Sequence, residues 1–234
     1  MVYAAILAGG SGSRMNSDLP KQYMKINGRP VIAYSAEAFA ACPEIERIIV
    51  AVSEDYMKYA ENLFSEYCPG IPLTLIAGGT DRTGTLKNIL EYMRGNNMLG
   101  DKTILLTHDA ARPFIDSRII NDNIAAAREA GACNTVIPAT DTILESLDGE
   151  YISFVPNRDR LYHVQTPQSF RAKKLYELTL SLSDAERGQI TDACSIFTLR
   201  GEPVKLVRGR AENIKITWPQ DIFLAEIILN QGLR

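Results

Sequence analysis

Through its first 130 residues the chain alternates short apolar runs with amphipathic segments, and this alternation constrains its fold more than any other feature. Val2–Leu7, Arg47–Val52, Leu73–Ile76 and Thr103–Thr107 have the composition of strands. The segments after them, Val31–Ala41, Glu54–Tyr67, Arg82–Arg94 and Ser117–Ala130, have helical spacing, the last opened by a Ser117 cap. Strand and helix alternating at this interval predict an α/β fold, a mainly parallel twisted sheet flanked by helices on both faces. In such sheets ligands sit beyond the carboxyl ends of the strands.

The pattern changes between Thr135 and about Phe170. Thr135–Pro138, Thr142–Glu145 and Tyr151–Phe154 look like short strands, and Asp148-Gly149 is a hairpin signal. These pieces predict a β-arm, at about residues 137–162, projecting from the sheet with edges that a second subunit could cover. The C-terminal part predicts helices at Lys173–Leu182, Thr191–Leu199 and Pro219–Leu229 and a strand at Pro203–Val207. With no internal repeat or linker, residues 1–234 are expected to form one domain bearing an arm.

The net charge of −3 argues against a general nucleic-acid binder, which is usually basic. No run approaches the ~20 apolar residues of a membrane helix, and no basic region precedes the first apolar run. The four cysteines form no CxxC pair, and the two histidines do not complete a zinc pattern. These features predict a cytoplasmic protein with reduced thiols.

Five clusters carry candidate chemistry. In the first, the strand at Val2–Leu7 breaks into Ala8-Gly9-Gly10-Ser11-Gly12-Ser13-Arg14, followed by Pro20-Lys21-Gln22. Glycines let backbone N–H groups approach phosphate oxygens, and Arg14 and Lys21 could neutralise them. The spacing matches neither a dinucleotide fingerprint nor a P-loop, so a plain tight turn remains open. In the second, Thr107-His108-Asp109-Ala110-Ala111-Arg112-Pro113, Asp109 could hold Mg²⁺ or a ribose and Arg112 a phosphate; alternatively Asp109 caps a turn and pairs with Arg112. His108 looks like a structural hydrogen-bonding residue. The third, Gly78-Gly79-Thr80-Asp81-Arg82-Thr83-Gly84-Thr85, is either a base- or phosphate-reading turn or an ordinary capped helix start. The fourth is the arm, with Asp141-Thr142 and Arg158, and the fifth is Gly209–Thr217, where Lys215 is either a phosphate ligand or a solvated lysine.

Together these clusters resemble the cytidylyltransferases that activate sugar-alcohol phosphates, a family with methylerythritol-phosphate and ribitol-phosphate branches. LAGGSGSRM, PKQY, HDAARPF, QTPQSF, TDACSIF and NIKIT carry the resemblance over nearly the whole chain. It implies a Rossmann-like nucleotidyltransferase fold of the GT-A type. It also implies a CTP site of Ala8, Gly9, Gly10, Gly12, Arg14, Lys21, Gly79, Thr80, Thr85 and Lys215, with Arg14, Lys21 and Lys215 catalytic. The implied polyol-phosphate site is Asp109, Arg112, Thr166 and Thr191, joined by Thr142 and Arg158 from the arm of a second subunit, in a homodimer with composite sites. Mg²⁺ at Asp109 is the implied cofactor.

Asp159-Arg160-Leu161-Tyr162, the run from Leu182-Ser183-Asp184 to Thr191-Asp192-Ala193-Cys194, and Ala139–Ser146 look more like the ribitol-phosphate branch. The alternative substrate is 2-C-methyl-D-erythritol 4-phosphate. A non-catalytic nucleotide-binding regulator would need missing cations, and a dehydrogenase would need a G-x-G-x-x-G after the first strand.

Overall fold

The computed structural model describes residues 1–10 and 19–232. Seven strands form the main sheet: β1 (Val2–Ala8), β4 (Arg47–Val52), β5 (Leu73–Ala77), β6 (Ile104–Asp109), β7 (Ala132–Pro138), β8 (Tyr162–Arg171) and β9 (Lys205–Arg208). Two further strands, β2 (Lys25–Ile26) and β3 (Arg29–Pro30), pair as a small hairpin. Its turn, Asn27-Gly28, has positive φ at both residues, 48° and 77°, as a tight hairpin turn requires. The helices are α1 (Val31–Ala40), α2 (Met57–Tyr67), α3 (Arg82–Gly95), α4 (Ser117–Ala130), α5 (Ala172–Leu180), α6 (Asp184–Arg187), α7 (Ala193–Leu199) and α8 (Gln220–Asn230).

The strand order is β5-β4-β1-β6-β8-β7-β9. All neighbours are parallel except β8, which runs antiparallel to both β6 and β7. The chain steps outward from β1 to β4 and β5, then returns to place β6 on the other side of β1. The strand order therefore reverses between β1 and β6, where such sheets open a ligand crevice.

Alternation along the strands divides the interior in two. Val2, Ala4, Ile6 and Ala8 of β1 and Ile48, Val50 and Val52 of β4 pack with Phe39 of α1, Phe64 of α2 and Ile120 of α4. Tyr3, Ala5, Ile49 and Ala51 face the opposite side, with Leu90 of α3, Leu175 of α5 and Phe197 of α7. α8 packs separately, through Ala225 and Ile228, on Ile26, Val31 and Phe114. Among the described residues no helix is long and apolar enough to cross a membrane.

Several sequence expectations need correction. Asp116, not Ser117, caps α4: its carboxylate accepts from the Ile119 N–H at 2.7 Å, and Ser117 is the first helical residue. β6 runs to Asp109, so His108 and Asp109 end the strand instead of following it. The helix expected from Thr191 starts at Ala193, with the Asp192 side chain as its cap. Thr142–Glu145 and Tyr151–Phe154 do not form strands; a single bridge joins Glu145 and Phe154 around the Asp148-Gly149 turn. An isolated two-stranded ribbon has no face to bury and gains little from a longer ladder. β8, by contrast, is a ten-residue interior strand that the composition did not suggest. Its buried residues include Gln165, Thr166, Gln168 and Ser169, and the absence of an apolar run hides it.

Candidate active site

The crevice at the β1/β6 switch point is a cleft of about 440 Å³, lined by Ala8, Gly9, Gly10, Lys21, Gly79, Thr80, Thr85, Asp109 and Lys215 among others. A smaller cleft of about 250 Å³, with Arg112, Thr166 and Thr191 in its wall, shares Arg82, Asp109 and Lys215 with it. The structure thus gathers the described nucleotide-site candidates in one cavity and the four polyol-phosphate candidates of the core beside it. Gly12 and Arg14 lie outside the described residues.

The end of β1 is pinned from below. Gln22, buried in the short turn Lys21–Tyr23, donates its amide hydrogens to the carbonyls of Ala8 at 2.7 Å and Gly10 at 3.0 Å. Lys21 sits on the same turn and reaches the cleft wall. Opposite, Gly79 closes against the start of α3, where a Cβ would lie 2.6 Å from the Thr85 nitrogen, so only glycine fits. The Thr85 hydroxyl accepts from the Gly79 N–H at 3.0 Å and donates to the Asp81 carbonyl at 2.8 Å. Asp81 caps α3 by accepting from the Gly84 N–H. Thr85 therefore shapes this turn from inside, while Thr80 stands exposed at its tip.

Asp109 is the electrostatic centre. Its side chain is 9% exposed and is approached by Arg82 on one oxygen, by the Lys215 ammonium at 2.7 Å on the other, and by the Arg112 Nε at 3.9 Å. Burial pushes its carboxyl up, but Arg82 and Lys215 override this and hold it well below the usual carboxylate range. It is a fixed anion at neutral pH. Arg112 is also largely buried, and its fork is engaged: Nη1 donates to the Asn213 carbonyl at 2.7 Å and Nη2 to the Val164 carbonyl at 3.2 Å.

Lys215 is delivered by a segment stitched to the rest of the site. Arg210 pairs with Asp116 and Glu212, Asn213 donates to the Thr166 carbonyl at 2.9 Å, and the Ile216 N–H bonds the Ala111 carbonyl. The sequence places Arg82 in the third cluster and assigns it no role. A signal was available: a cation in the first turn of α3 opposes the helix dipole and needs another reason to be there.

Thr142 and Arg158 do not join this cluster within one chain. Both are exposed on the arm, and Arg158 donates to the Thr140 carbonyl at 3.2 Å. Among the described residues no group of three or more His, Cys, Asp or Glu side chains could hold a metal ion. Mg²⁺ keeps several waters and commonly takes one or two carboxylates plus substrate phosphate oxygens; Asp109 offers one carboxylate, both of whose oxygens already face a cation, so an ion there would take one of its remaining lone pairs.

The comparisons agree with this geometry. The family model described as IspD: 2-C-methyl-D-erythritol 4-phosphate cytidylyltransferase matches residues 2–231. A relative named ribitol-5-phosphate cytidylyltransferase, from Streptococcus pneumoniae (strain ATCC BAA-255 / R6), is 43% identical over 99% of this chain and 100% of its own. The crystal structure of 4-diphosphocytidyl-2C-methyl-D-erythritol synthase from Anaerococcus prevotii DSM 20548 superposes with a TM-score of 0.80 at 29% identity, covering 98% of this chain and 96% of that one. The 2-C-methyl-D-erythritol 4-phosphate cytidylyltransferase of Thermus thermophilus gives 0.75 at 27% identity, covering 98% and 100%. With its sheet order, its cleft and these matches along nearly its whole length, the chain belongs to the IspD family of cytidylyltransferases.

Proposed function

We propose that the protein transfers the cytidylyl group of CTP to D-ribitol 5-phosphate, giving CDP-ribitol and pyrophosphate. The observation that carries the choice of alcohol is the 43% identity, over essentially both full lengths, to enzymes named for ribitol 5-phosphate. Three solved structures named for the methylerythritol product or substrate are 26–29% identical.

In this reading a phosphate oxygen of ribitol 5-phosphate attacks the α-phosphorus of CTP in line. One P–O bond forms, the bond from the α-phosphorus to the oxygen bridging to the β-phosphorus breaks, and pyrophosphate leaves with the electron pair. The attacking phosphate is largely ionised at neutral pH and needs no general base. What the chain supplies is alignment and positive charge at the crowded phosphorus. Lys21, Lys215 and Arg82 line the cleft, and Arg14 would join them from outside the described residues. The glycine turn would offer backbone N–H groups to the triphosphate, and Gly79 with Thr80 would border the base. Asp109 would anchor Mg²⁺, which supplies charge neutralisation for the triphosphate when bound. Asp109 also sits between Arg82 and Lys215, and its negative charge offsets the repulsion between the two cations.

The exposed arm fits a homodimer in which Thr142 and Arg158 complete the site of a second copy. Leu147, Tyr151, Ile152 and Phe154 are between 58% and 84% exposed, large apolar side chains that a second copy could cover. The second substrate reading, 2-C-methyl-D-erythritol 4-phosphate, is favoured by the family model. Pyrophosphate release measured with CTP and each polyol phosphate separates the two. A kcat/KM on the order of 10²-fold higher for ribitol 5-phosphate is expected; turnover of the methylerythritol substrate alone overturns the choice.

A further inference from the structure

His108 is fully buried one residue from the end of β6, its ring edge-on to Phe39 with centroids 5.3 Å apart. Each ring nitrogen has a partner. Nε2 lies 2.9 Å from the Arg112 carbonyl oxygen, and Nδ1 lies 2.9 Å from the Thr166 hydroxyl. A carbonyl oxygen can only accept, so Nε2 carries a hydrogen. The ring is fully buried with no carboxylate bonded to either nitrogen, so above the ordinary imidazole pKa of about 6.5 it is neutral and has one N–H. Turning the ring over would set carbon atoms against both partners.

Nδ1 is therefore an acceptor, and Thr166 must donate its only proton to it. The Thr166 oxygen in turn accepts from the Asp109 backbone N–H at 3.2 Å, which leaves it one lone pair. Thr166 lines the smaller cleft. The geometry points to His108 as a positioning residue: its Nε2–H tautomer draws the Thr166 proton inward, so that Thr166 meets the substrate only as an acceptor for a polyol hydroxyl. A phosphate oxygen, which has no hydrogen to give, is then the wrong partner for this side chain. The same bridge ties the Asp109–Arg112 loop to β8. The inference rests on the assignment of the smaller cleft to the polyol phosphate.

Two measurements test it. In H163N, His108 is the only histidine left, and long-range ¹H–¹⁵N correlation of ¹⁵N-histidine-labelled protein at pH 7.5 should show Nε2 protonated and Nδ1 bare. A spectrum with Nδ1 protonated overturns the inference. That spectrum involves no substrate, so turnover of the methylerythritol substrate alone would defeat the function assignment and leave the tautomer result standing. In kinetics, T166V should raise KM for the polyol phosphate about tenfold, the scale of one hydrogen bond, with KM for CTP within about twofold. T166S should restore it. Against a set of mono-deoxy ribitol 5-phosphates, the T166V penalty should vanish for one analogue, the one lacking the contacted hydroxyl. A penalty that persists for every analogue, or falls equally on CTP, overturns the inference.

Discussion

Asp109 binds no proton at working pH and is surrounded by Arg82, Lys215 and Arg112, so its role is that of a counter-charge around which cations are spaced. Lys21 and Lys215 line the larger cleft, and in the proposed reaction they would meet the negative charge that builds as the α-phosphorus gains a fifth oxygen. Lys21→Ala and Lys215→Ala are each expected to lower kcat about 10²-fold or more, the scale of a lost oxyanion donor. Initial rates of pyrophosphate release at saturating substrates check this, and near-normal turnover in either variant excludes the role. Buried His108 gives a second expectation. Its pKa is about 4 when folded against an ordinary 6.5, so between these values the unfolded chain binds the extra proton. Stability from this group is fully present above pH 6.5 and is lost as pH falls through 4, by roughly 3 kcal/mol in all. Denaturant midpoints measured at pH 7 and pH 4.5 should fall for the wild type. A variant such as H108N should lose less over the same interval. Asp109, Arg112 and Lys215 were legible because their motifs name them. Arg82 was not, because its role depends on the fold bringing the start of α3 to the end of β6.

At the scale of elements, the first half of the chain was readable because β1, β4, β5 and β6 are mostly apolar and each is followed by a helix before the next strand of the main sheet. β8 was not, because its centre is buried with polar side chains. Gln168 is satisfied by Asn134, Asp192 and the Ala193 N–H, Ser169 by Asn123, and the Thr135 hydroxyl bonds the Pro167 carbonyl. No local pattern announces partners that arrive from β7, α4 and α7. The turn between β5 and α3 shows the opposite case, a local feature whose glycine is required by packing. Gly79→Ala drives a methyl group into the backbone of Gly84 and Thr85. It should break the Gly79–Thr85 hydrogen bond and tilt the turn away from the cleft. The expected cost is about 1–3 kcal/mol of stability, with CTP binding weakened about tenfold. Thermal unfolding and calorimetric titration with CTP measure both, and a variant with unchanged CTP affinity would show that this turn does not border the nucleotide.

For the whole molecule, the core holds both clefts, yet the two arm residues implied by the family resemblance, Thr142 and Arg158, stand away from them in the same chain. The Asp148-Gly149 turn was legible, but the pairing around it was not, since apolar residues without a core of their own need a surface from elsewhere. In a two-fold dimer each arm would serve the other copy's core. Lys215→Ala then breaks a site through its core and Arg158→Ala breaks one through its arm. Each variant alone is expected to be nearly inactive. A mixed dimer, however, contains one site with both defects and one site with neither, because the intact Lys215 and the intact Arg158 meet there. Equal mixing with free exchange makes half the dimers mixed, so about one quarter of the wild-type activity should return. The same experiment with two core variants, Lys21→Ala and Lys215→Ala, should restore none, because no site then has both lysines. Recovery in the first mixture and not in the second requires that the arm act in trans. Full activity of Arg158→Ala alone, or no recovery from dimers shown by mass to be mixed, would remove the arm from the site.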